Sequence, residues 1–260
     1  MTKPINKPQV FADGMAMFRR NMIKTLRSPE AIVMALIVPI VMMVMFGQIF
    51  GGIANVGYDI SFMNFVVPGI IVMCINISAQ SSSYAVNQDM STGIIDRFRS
   101  MAIAKSAFIS GHVWVSVLRS IAVVMATFGV AFAMGFRTSM SFTDWLITVG
   151  ILMLFIFALT WLTVIIGLVA KDAESLSGTG FLLQVFVFLS SAFAPTDTMP
   201  TVLRVFAAHQ PVSRVIYAIR GLVLGMPCNT DILVAVIWCT GIMIVGMAAA
   251  IAIYRSKLTK

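Results

Sequence analysis

Residues 87–105 read NQDMSTGIIDRFRSMAIAK and form the longest polar interruption between strongly apolar segments in the interior of the chain. Asp96, Arg97 and Arg99 lie largely on one side of this stretch, and Asp89, Ser91 or Thr92 can cap its start. The pattern predicts a short amphipathic helix, 91–102, at the cytoplasmic end of two membrane spans. Its apolar residues recur at helical spacing on the other side: Ile94, Ile95, Phe98, Met101 and Ala102.

Such a helix must bury its apolar face against a neighbour. One option is the ends of the chain's own spans or the lipid interface. The other is a groove on a soluble partner, where amphipathic helices commonly dock. The spacing of the residues leaves both options open.

Composition places the chain among integral membrane proteins of the helical kind. Apolar residues make up 59% of the 260 residues and charged residues 11%, whereas a soluble domain is about a quarter charged. The apolar runs have the length of about 20 residues that helical spans require, unlike the alternating strands of a barrel. The net charge of +8 fits membrane orientation and does not indicate nucleic-acid binding. The cysteines Cys74, Cys228 and Cys239 form no metal-binding or redox spacing.

The segment 10–26 predicts a basic helix lying in the plane of the membrane interface. Arg20, Lys24 and Arg27 form a cationic stripe, which we expect to face anionic lipid headgroups. A soluble amino-terminal helix is the alternative. The apolar stripe of the same helix comprises Phe11, Met15, Phe18, Met22 and Leu26.

Apolar segments further along predict an all-α integral membrane protein with six transmembrane helices. Between the fifth and sixth spans, prolines divide an apolar stretch into the pieces 201–210 and 212–225, neither of which reaches the roughly 20 residues of a span. We expect 195–225 to form a helical hairpin that dips into the outer membrane face. The six predicted spans are 31–50, 62–84, 108–134, 145–170, 176–193 and 232–254.

The distribution of Lys and Arg predicts that both termini are cytoplasmic. With six spans and an inner amino terminus, 13 of the 18 basic residues fall on the inner side, four fall on the outer side, and Arg119 lies within a span. This is a strong positive-inside bias. The four outer residues are Arg137, Arg204, Arg214 and Arg220.

The sequence contains no pattern for catalysis, metal binding or nucleotide binding by this chain. It has no HExxH, nucleophile elbow, Cys/His cluster or P-loop. Arg119 either binds an anionic substrate group or lipid headgroup, or lies near the inner interface. Neutral polar side chains in the spans can line a substrate path or hydrogen-bond between helices. Those selected as path candidates are Asn76, Gln80, Thr163 and Gln184.

Three stretches together resemble the membrane subunit of ABC-2-type ATP-binding-cassette exporters, in particular the daunorubicin-resistance-like permeases. They are FVVPGIIVM at 65–73, the segment DMSTGIIDRFRSMAIAKSAFISGHV at 89–113, and FLSSAFAPTDTMPTVLRVFAAHQPVSRVIYAIRGLVLG at 188–225. The resemblance covers most of the chain, and its third stretch is the most specific. It implies six spans, an amino-terminal interfacial helix, a cytoplasmic coupling helix after the second span and an outer re-entrant hairpin.

The resemblance also implies a function. The chain would be a permease for an apolar or amphipathic drug or lipid, paired with a second permease half, identical or sibling, and with two cytoplasmic ATPase subunits. Those subunits would bind ATP and Mg, whereas this chain would bind no cofactor. The implied ATPase-coupling residues are Asp89, Gly93, Ile94, Ile95, Asp96, Arg97, Phe98, Arg99 and Met101. The implied outer gate comprises Phe193, Pro195, Met199, Pro200, Pro211 and Arg220.

The chain departs from the family pattern at two places in the coupling segment. Asp89 and Thr92–Gly93 stand where the family has a Glu before a Gly-Thr pair, and Ala102 stands where it commonly has Pro. An exporter of polysaccharide or lipid-linked glycan is the nearest alternative, and a channel or membrane enzyme is a more distant one. A glycan path would be lined by aromatic residues, whereas the aromatics here are mostly Phe, 19 in all.

Overall fold

The computed structural model describes residues 10–27, 29–46, 62–92 and 105–259, and within these ranges the chain is helical with no strand. The described helices number nine, and their lengths follow the apolar runs of the sequence. They are α1 (Val10–Leu26), α2 (Pro29–Val44), α3 (Phe62–Ser91), α4 (Lys105–Ala133), α5 (Phe142–Val169), α6 (Ala173–Phe188), α7 (Thr201–His209), α8 (Pro211–Leu224) and α9 (Asn229–Thr259).

Four of these helices have the length and composition of membrane spans. They are α3, α4, α5 and α9, each with 27 or more residues in its candidate span. The predicted first and fifth spans overlap the shorter helices α2 and α6, of 16 residues each. The all-helical, membrane-spanning class is therefore confirmed, while the count of six spans and the direction of insertion stay predictions.

Helix α3 is the centre of the bundle. It packs against α2, α4, α5, α6 and α8, so its apolar residues are buried on every side. Val67, Ile70, Ile71 and Val72, four nearly consecutive residues, are all fully buried. By contrast, α9 packs on α5 and α8 and leaves much of its surface exposed, including Ile237 and Val245. Exposed apolar side chains on a long helix are typical of a lipid-facing surface.

Close helix packing in this core depends on glycine. A Cβ added at Gly167 of α5 would lie 2.5 Å from the backbone oxygen of Ser83, and one added at Gly69 of α3 would lie 2.5 Å from that of Ala192. Both distances are shorter than van der Waals contact, so only glycine fits. Small residues at such crossings allow two helix backbones to approach one another in membranes.

The segment between α6 and α9 folds as the proline spacing predicts. A short 3-10 turn, Thr196–Thr198, precedes α7, and Pro211 occupies the first turn of α8, where its missing N–H is not needed. Gly225 then ends α8 with φ of +65°, a left-handed conformation that suits glycine. We call residues 195–225 the hairpin segment. Its depth in the membrane stays a prediction.

Helix α3 continues beyond the end that the sequence predicts. The predicted span ends at residue 84, whereas α3 ends at Ser91. Polar residues occupy this last part, and they stay helical because other helices surround them. Asn87, for example, donates a hydrogen bond of 2.7 Å to the carbonyl oxygen of Ala170, just past the end of α5. Asp89 therefore lies in the part of α3 that extends past the predicted span.

Candidate functional site

A buried ion-pair cluster joins α1 to α3 and α4. Asp89 is fully buried, and its carboxylate accepts hydrogen bonds from both terminal nitrogens of Arg20, at 2.7 and 3.1 Å, and from Lys24 Nζ at 3.2 Å. Nε2 of His112 in α4 lies 3.2 Å from the same carboxylate. The two parallel bonds from Arg20 form the bidentate geometry that fixes both distance and orientation. We call these four residues the Asp89 cluster.

The sequence of α1 supplies this arrangement through its helical spacing. Arg20 and Lys24 are four residues apart and share one face of the helix. The buried residue Met17 packs on Gly111 of α4, where an added Cβ would lie 2.8 Å from the Met17 Cβ. The apolar stripe is left outside, and Phe11 is 83% exposed. Such a stripe suits the predicted membrane interface.

One expectation from the sequence changes here. Arg20 and Lys24 turn toward a buried carboxylate, so the expectation that both face lipid headgroups is wrong. The Asp89 carboxylate, one of three candidate caps for the segment 91–102, is bound by α1 and α4, and the cap itself stays a prediction. Sequence reasoning missed the partners of Asp89, which lie far from it along the chain. The one available signal was the pair of cations four residues apart on α1.

A cavity of about 680 Å³ with several polar side chains in its wall lies beside the Asp89 cluster. It is bounded by α1, α3, α4 and the turn between α5 and α6. Lys24, Arg119 and Lys171 bring three cations to its wall, and Asp172 is the single carboxylate among the lining residues. Hydroxyl and amide groups make up most of the remaining polar wall: Asn21, Thr25, Ser81, Ser82, Tyr84, Asn87, Gln88, Ser91 and Ser116.

The one carboxylate of the cavity wall is already engaged. Asp172 caps α6 by accepting hydrogen bonds from the backbone N–H of Ser175 at 2.8 Å and from its hydroxyl at 2.7 Å. These bonds lower the pKa of Asp172 below its ordinary value, because they favour the charged form. Asp172 is therefore charged near neutral pH, and the three cations of the wall outnumber this one carboxylate.

Arg119 is the cation of this wall that lies within the candidate span Ala107–Ala133. Its Nη2 donates to the carbonyl oxygen of Ser78 at 2.6 Å and lies 3.5 Å from the Ser82 hydroxyl. Its Nε is buried and has no hydrogen-bond partner in the part of the chain that the structure describes. No ion pair joins Arg119 to a described carboxylate. A guanidinium in this state retains unused donor capacity.

The other predicted path residues do not line this cavity. Asn76 Nδ2 donates to Gln184 Oε1 at 3.1 Å, and Gln80 Nε2 donates to the carbonyl oxygen of Gly180 at 3.0 Å, so both join α3 to α6. Thr163 bonds to the carbonyl of Thr160 within its own helix. Gln80 and Gln184 also border a second, smaller cavity of about 250 Å³. The structure thus brings Asn76, Gln80 and Gln184 together but separates them from Arg119.

In the hairpin segment, the arginine predicted for the outer gate is buried. Arg220 donates from Nε to the carbonyl of Phe65 at 3.0 Å and from Nη2 to that of Ser191 at 2.7 Å. Its guanidinium carbon lies 3.7 Å from the centre of the Phe65 ring. Arg220 therefore connects α8 to the start of α3 and to the chain after α6.

The remaining predicted gate residues lie between the end of α6 and the start of α8. Phe193 stacks between Phe46, at a ring distance of 4.8 Å, and Phe188, at 5.5 Å. Pro195 precedes the 3-10 turn and lines a cavity of about 160 Å³ together with Arg220. The other three predicted gate residues lie at the ends of structural elements: Met199 follows the 3-10 turn, Pro200 precedes α7, and Pro211 begins α8.

Most of the predicted coupling residues lie outside the described part of the chain. These are Gly93, Ile94, Ile95, Asp96, Arg97, Phe98, Arg99 and Met101, and their role stays a prediction. Their flanks are described: α3 ends at Ser91, two residues after Asp89, and α4 begins at Lys105. The connection between α3 and α4 therefore starts beside the Asp89 cluster.

Comparison with known proteins gives matches along most of the chain. The family model described as ABC-2 type transporter matches residues 13–224. The chain is 26% identical over 230 residues to the daunorubicin resistance ABC transporter permease protein DrrB1 of Streptomyces coeruleorubidus, covering 88% of this chain and 81% of that protein. It is 22% identical over 248 residues to the probable doxorubicin resistance ABC transporter permease protein DrrC of Mycobacterium tuberculosis, covering 95% and 90%. A putative transport permease, ycf38 of Cyanophora paradoxa, is 25% identical over 210 residues, covering 78% and 71%.

Proposed function

Because the chain belongs to the ABC-2 type transporter family and is a multi-pass protein of the inner (plasma) membrane, we propose that it is the membrane-spanning permease subunit of an ATP-driven exporter. The family match over residues 13–224 is the observation that carries this proposal. The permease is a transport component and not an enzyme. ATP and Mg bind to separate cytoplasmic ATPase subunits, one for each of two permease halves.

The cargo is an apolar or amphipathic compound, a drug or a lipid, that moves out of the cell. Two relatives are named for resistance to daunorubicin and doxorubicin, which supports a small amphipathic cargo. The apolar cores of the candidate spans suit such a molecule better than a strongly hydrated one. The second permease half is a copy of this chain or a sibling of it.

The segment 91–102 couples ATP binding and hydrolysis on the ATPase subunits to movement of the permease. In this proposal Ile94, Ile95, Phe98 and Met101 sit in a groove of the ATPase subunit, while Asp96, Arg97 and Arg99 fix the pairing at its rim. Closure of the two ATPase subunits on ATP then moves these segments. The position of the Asp89 cluster at the start of the connection supports this path, because it links the segment to α1, α3 and α4 at once.

A charge placed on the apolar side of the coupling segment tests the proposal. Phe98→Asp should leave membrane insertion and permease folding intact, yet uncouple ATP hydrolysis from transport, since a carboxylate is costly in an apolar groove. Ser100→Asp is the matched control, because residue 100 lies on the opposite side of the predicted helix. The complex with its ATPase is reconstituted in vesicles, and hydrolysis and substrate movement are measured together.

The proposal predicts that only Phe98→Asp loses ATP-dependent transport. Equal transport by Phe98→Asp and the unchanged chain would remove the coupling role from this segment. Failure of any ATPase subunit to purify with the chain from its native membrane would oppose the permease assignment itself. The two measurements therefore separate the coupling detail from the general function.

We also propose that the hairpin segment gates the outer exit. Phe193 stacks on Phe46, which follows α2, so a short bifunctional thiol reagent can join Phe46→Cys to Phe193→Cys. The three native cysteines are replaced by Ala first. Joining should stop export and reduction should restore it. Export that continues in the joined protein would refute the gate, and a pair joined within one helix serves as the control.

A further inference from the structure

We propose that the cavity beside the Asp89 cluster is a binding site for an oxyanion group, phosphate or carboxylate, carried as the head of an amphipathic molecule. This inference rests on the proposed function and names the chemical class of a ligand for it. The cavity has a volume of about 680 Å³, which falls within the range of cavities that enclose drug-sized ligands. Nothing in the names of the related proteins assigns such a site.

The first argument is the state of Arg119. Its guanidinium lies within a candidate membrane span, has no described carboxylate as partner, and keeps a buried Nε without any hydrogen bond among described residues. A charged side chain in a membrane normally finds a counter-charge or lines a functional path. An oxyanion in the cavity would supply the missing counter-charge. Arginine is suited to this role because its planar fork matches carboxylate and phosphate oxygens.

The second argument is the charge around the cavity. Lys171 stands at the turn between α5 and α6, and Lys24 adds a further cation from α1. Asp172 is the one carboxylate among the lining residues, and Asp89 beside the cavity is paired with Arg20, Lys24 and His112. An incoming anion therefore meets a lining in which three cations outnumber one carboxylate.

The third argument is the mixed character of the wall. Hydroxyl groups of Ser82 and Ser116 and the phenol of Tyr84 can donate to an oxyanion, whereas Val115 and Leu176 line the same space with apolar surface. A free inorganic ion would use only the polar part. An amphiphile would use both, with its head group at Arg119 and its apolar body against the aliphatic residues. The observations therefore favour an amphiphile over a soluble anion.

Native mass spectrometry of the full chain in neutral detergent tests this assignment. The probes are palmitoyl lysophosphatidic acid, the uncharged monopalmitoylglycerol, the cationic hexadecylamine and inorganic phosphate. Lysophosphatidic acid should bind at least about tenfold more tightly than the uncharged and cationic amphiphiles. Arg119→Gln should weaken its binding by about tenfold or more, as expected for the loss of a hydrogen bond to a charged group.

Further variants keep the test independent of folding defects. Lys171→Gln, at an exposed turn, should weaken binding by about two- to fivefold, and Arg119→Lys should retain part of the affinity because it keeps the charge. Arg137→Gln, in the segment that follows the far end of α4, is the matched control and should bind like the unchanged chain. Binding that is equal for the charged and uncharged amphiphiles, or insensitive to both Arg119→Gln and Lys171→Gln, overturns the proposal.

The inorganic phosphate arm distinguishes the two sources of an oxyanion. Weak phosphate binding beside strong lysophosphatidic acid binding supports the amphiphile. Phosphate that binds as tightly as the lipid, and in an Arg119-dependent manner, supports the oxyanion site and overturns the amphiphile. The proposed permease function is tested separately, since all of these measurements omit ATP. Transport that depends on ATP, together with no oxyanion binding, would refute this inference alone.

Discussion

Replacement of Asp89 by Asn should release α1 from the bundle. The carboxylate holds three partners, Arg20, Lys24 and His112, at 2.7 to 3.2 Å. Asn keeps the shape and one acceptor oxygen but removes the charge. The two α1 cations then lose their counter-charge, and His112 loses a strong hydrogen-bond partner. The substitution therefore tests whether the Asp89 cluster is what fixes α1.

The expected loss of stability depends on how well water can hydrate each cation after the substitution. Removing one partner of a fully buried ion pair costs about 3–5 kcal/mol. The Asp89 side chain is 1% exposed, but Arg20 is 33% and Lys24 is 41% exposed, so both can be rehydrated after the change. The Asn amide also keeps weaker, neutral hydrogen bonds. We therefore expect a loss of about 2–3 kcal/mol, to which loss of α1 docking contributes most.

Thermal unfolding in detergent measures this loss with a probe that the protein already carries. Its three free cysteines are buried, so a thiol-reactive dye reports their exposure as the chain unfolds. A loss of 2–3 kcal/mol corresponds to a fall of about 4–12 °C in Tm for a chain of this size. Hydrogen exchange of residues 10–26 should increase in parallel, because α1 loses its anchor.

A matched control and a double variant complete the experiment. Asp231→Asn removes a carboxylate that also bonds an arginine, Arg214, at 2.7 Å, but both side chains are partly exposed. Asp231→Asn should lower the free energy of unfolding by about 1 kcal/mol or less. The double variant Arg20→Gln with Asp89→Asn should be less unstable than the sum of the single changes. If Asp89→Asn lowers Tm no more than Asp231→Asn does, the argument from burial is refuted.

Three further predictions concern other contacts. Gly167→Ala should lower the free energy of unfolding by about 1–3 kcal/mol, because the new methyl group meets a backbone oxygen of α3 at 2.5 Å. Gly150→Ala, which has open space around it, should keep or slightly raise Tm, because alanine favours the helix more than glycine does. Arg220→Gln should raise hydrogen exchange in the hairpin segment, because it removes bonds to two carbonyl groups, whereas the exposed Arg204→Gln should not; equal exchange in both would contradict the connection. Asp172→Ala should speed hydrogen exchange in the first turn of α6, because it removes the cap. In the unchanged chain, the cap should be lost only as the pH falls through the lowered pKa of Asp172. Hydrogen exchange measured across an acid series checks this.

The sequence predicted the helices best where apolar residues continue without interruption. The bounds of α1 match the predicted segment 10–26, and α7 and α8 follow the prolines, because proline restricts where a helix can begin. The end of α3 was predicted seven residues too early, at 84 in place of Ser91. Hydropathy marks where a span leaves lipid, whereas a helix continues wherever its polar groups find partners.

The candidate site was less predictable, because its contacts are long-range. Asp89 and Arg119 were both selected from the sequence, but for reasons that the structure changes. The partners of Asp89 on α1 are 65 and 69 residues away, and no local pattern connects them. Arg119 was recognised as a charge within a span, while the cavity around it depends on four separate segments. Periodicity reports which face is apolar, but not which neighbour covers it.

The distance along the chain between the members of the Asp89 cluster has a consequence for biosynthesis. Arg20 leaves the ribosome long before Asp89, and His112 follows later still. At roughly 5–20 residues per second, the delay between the first and last member is on the order of ten seconds. During that time α1 has its cations but lacks the carboxylate that they bind. The amino-terminal helix therefore reaches its final place only after α3 and the start of α4 have been made, although it is synthesised first.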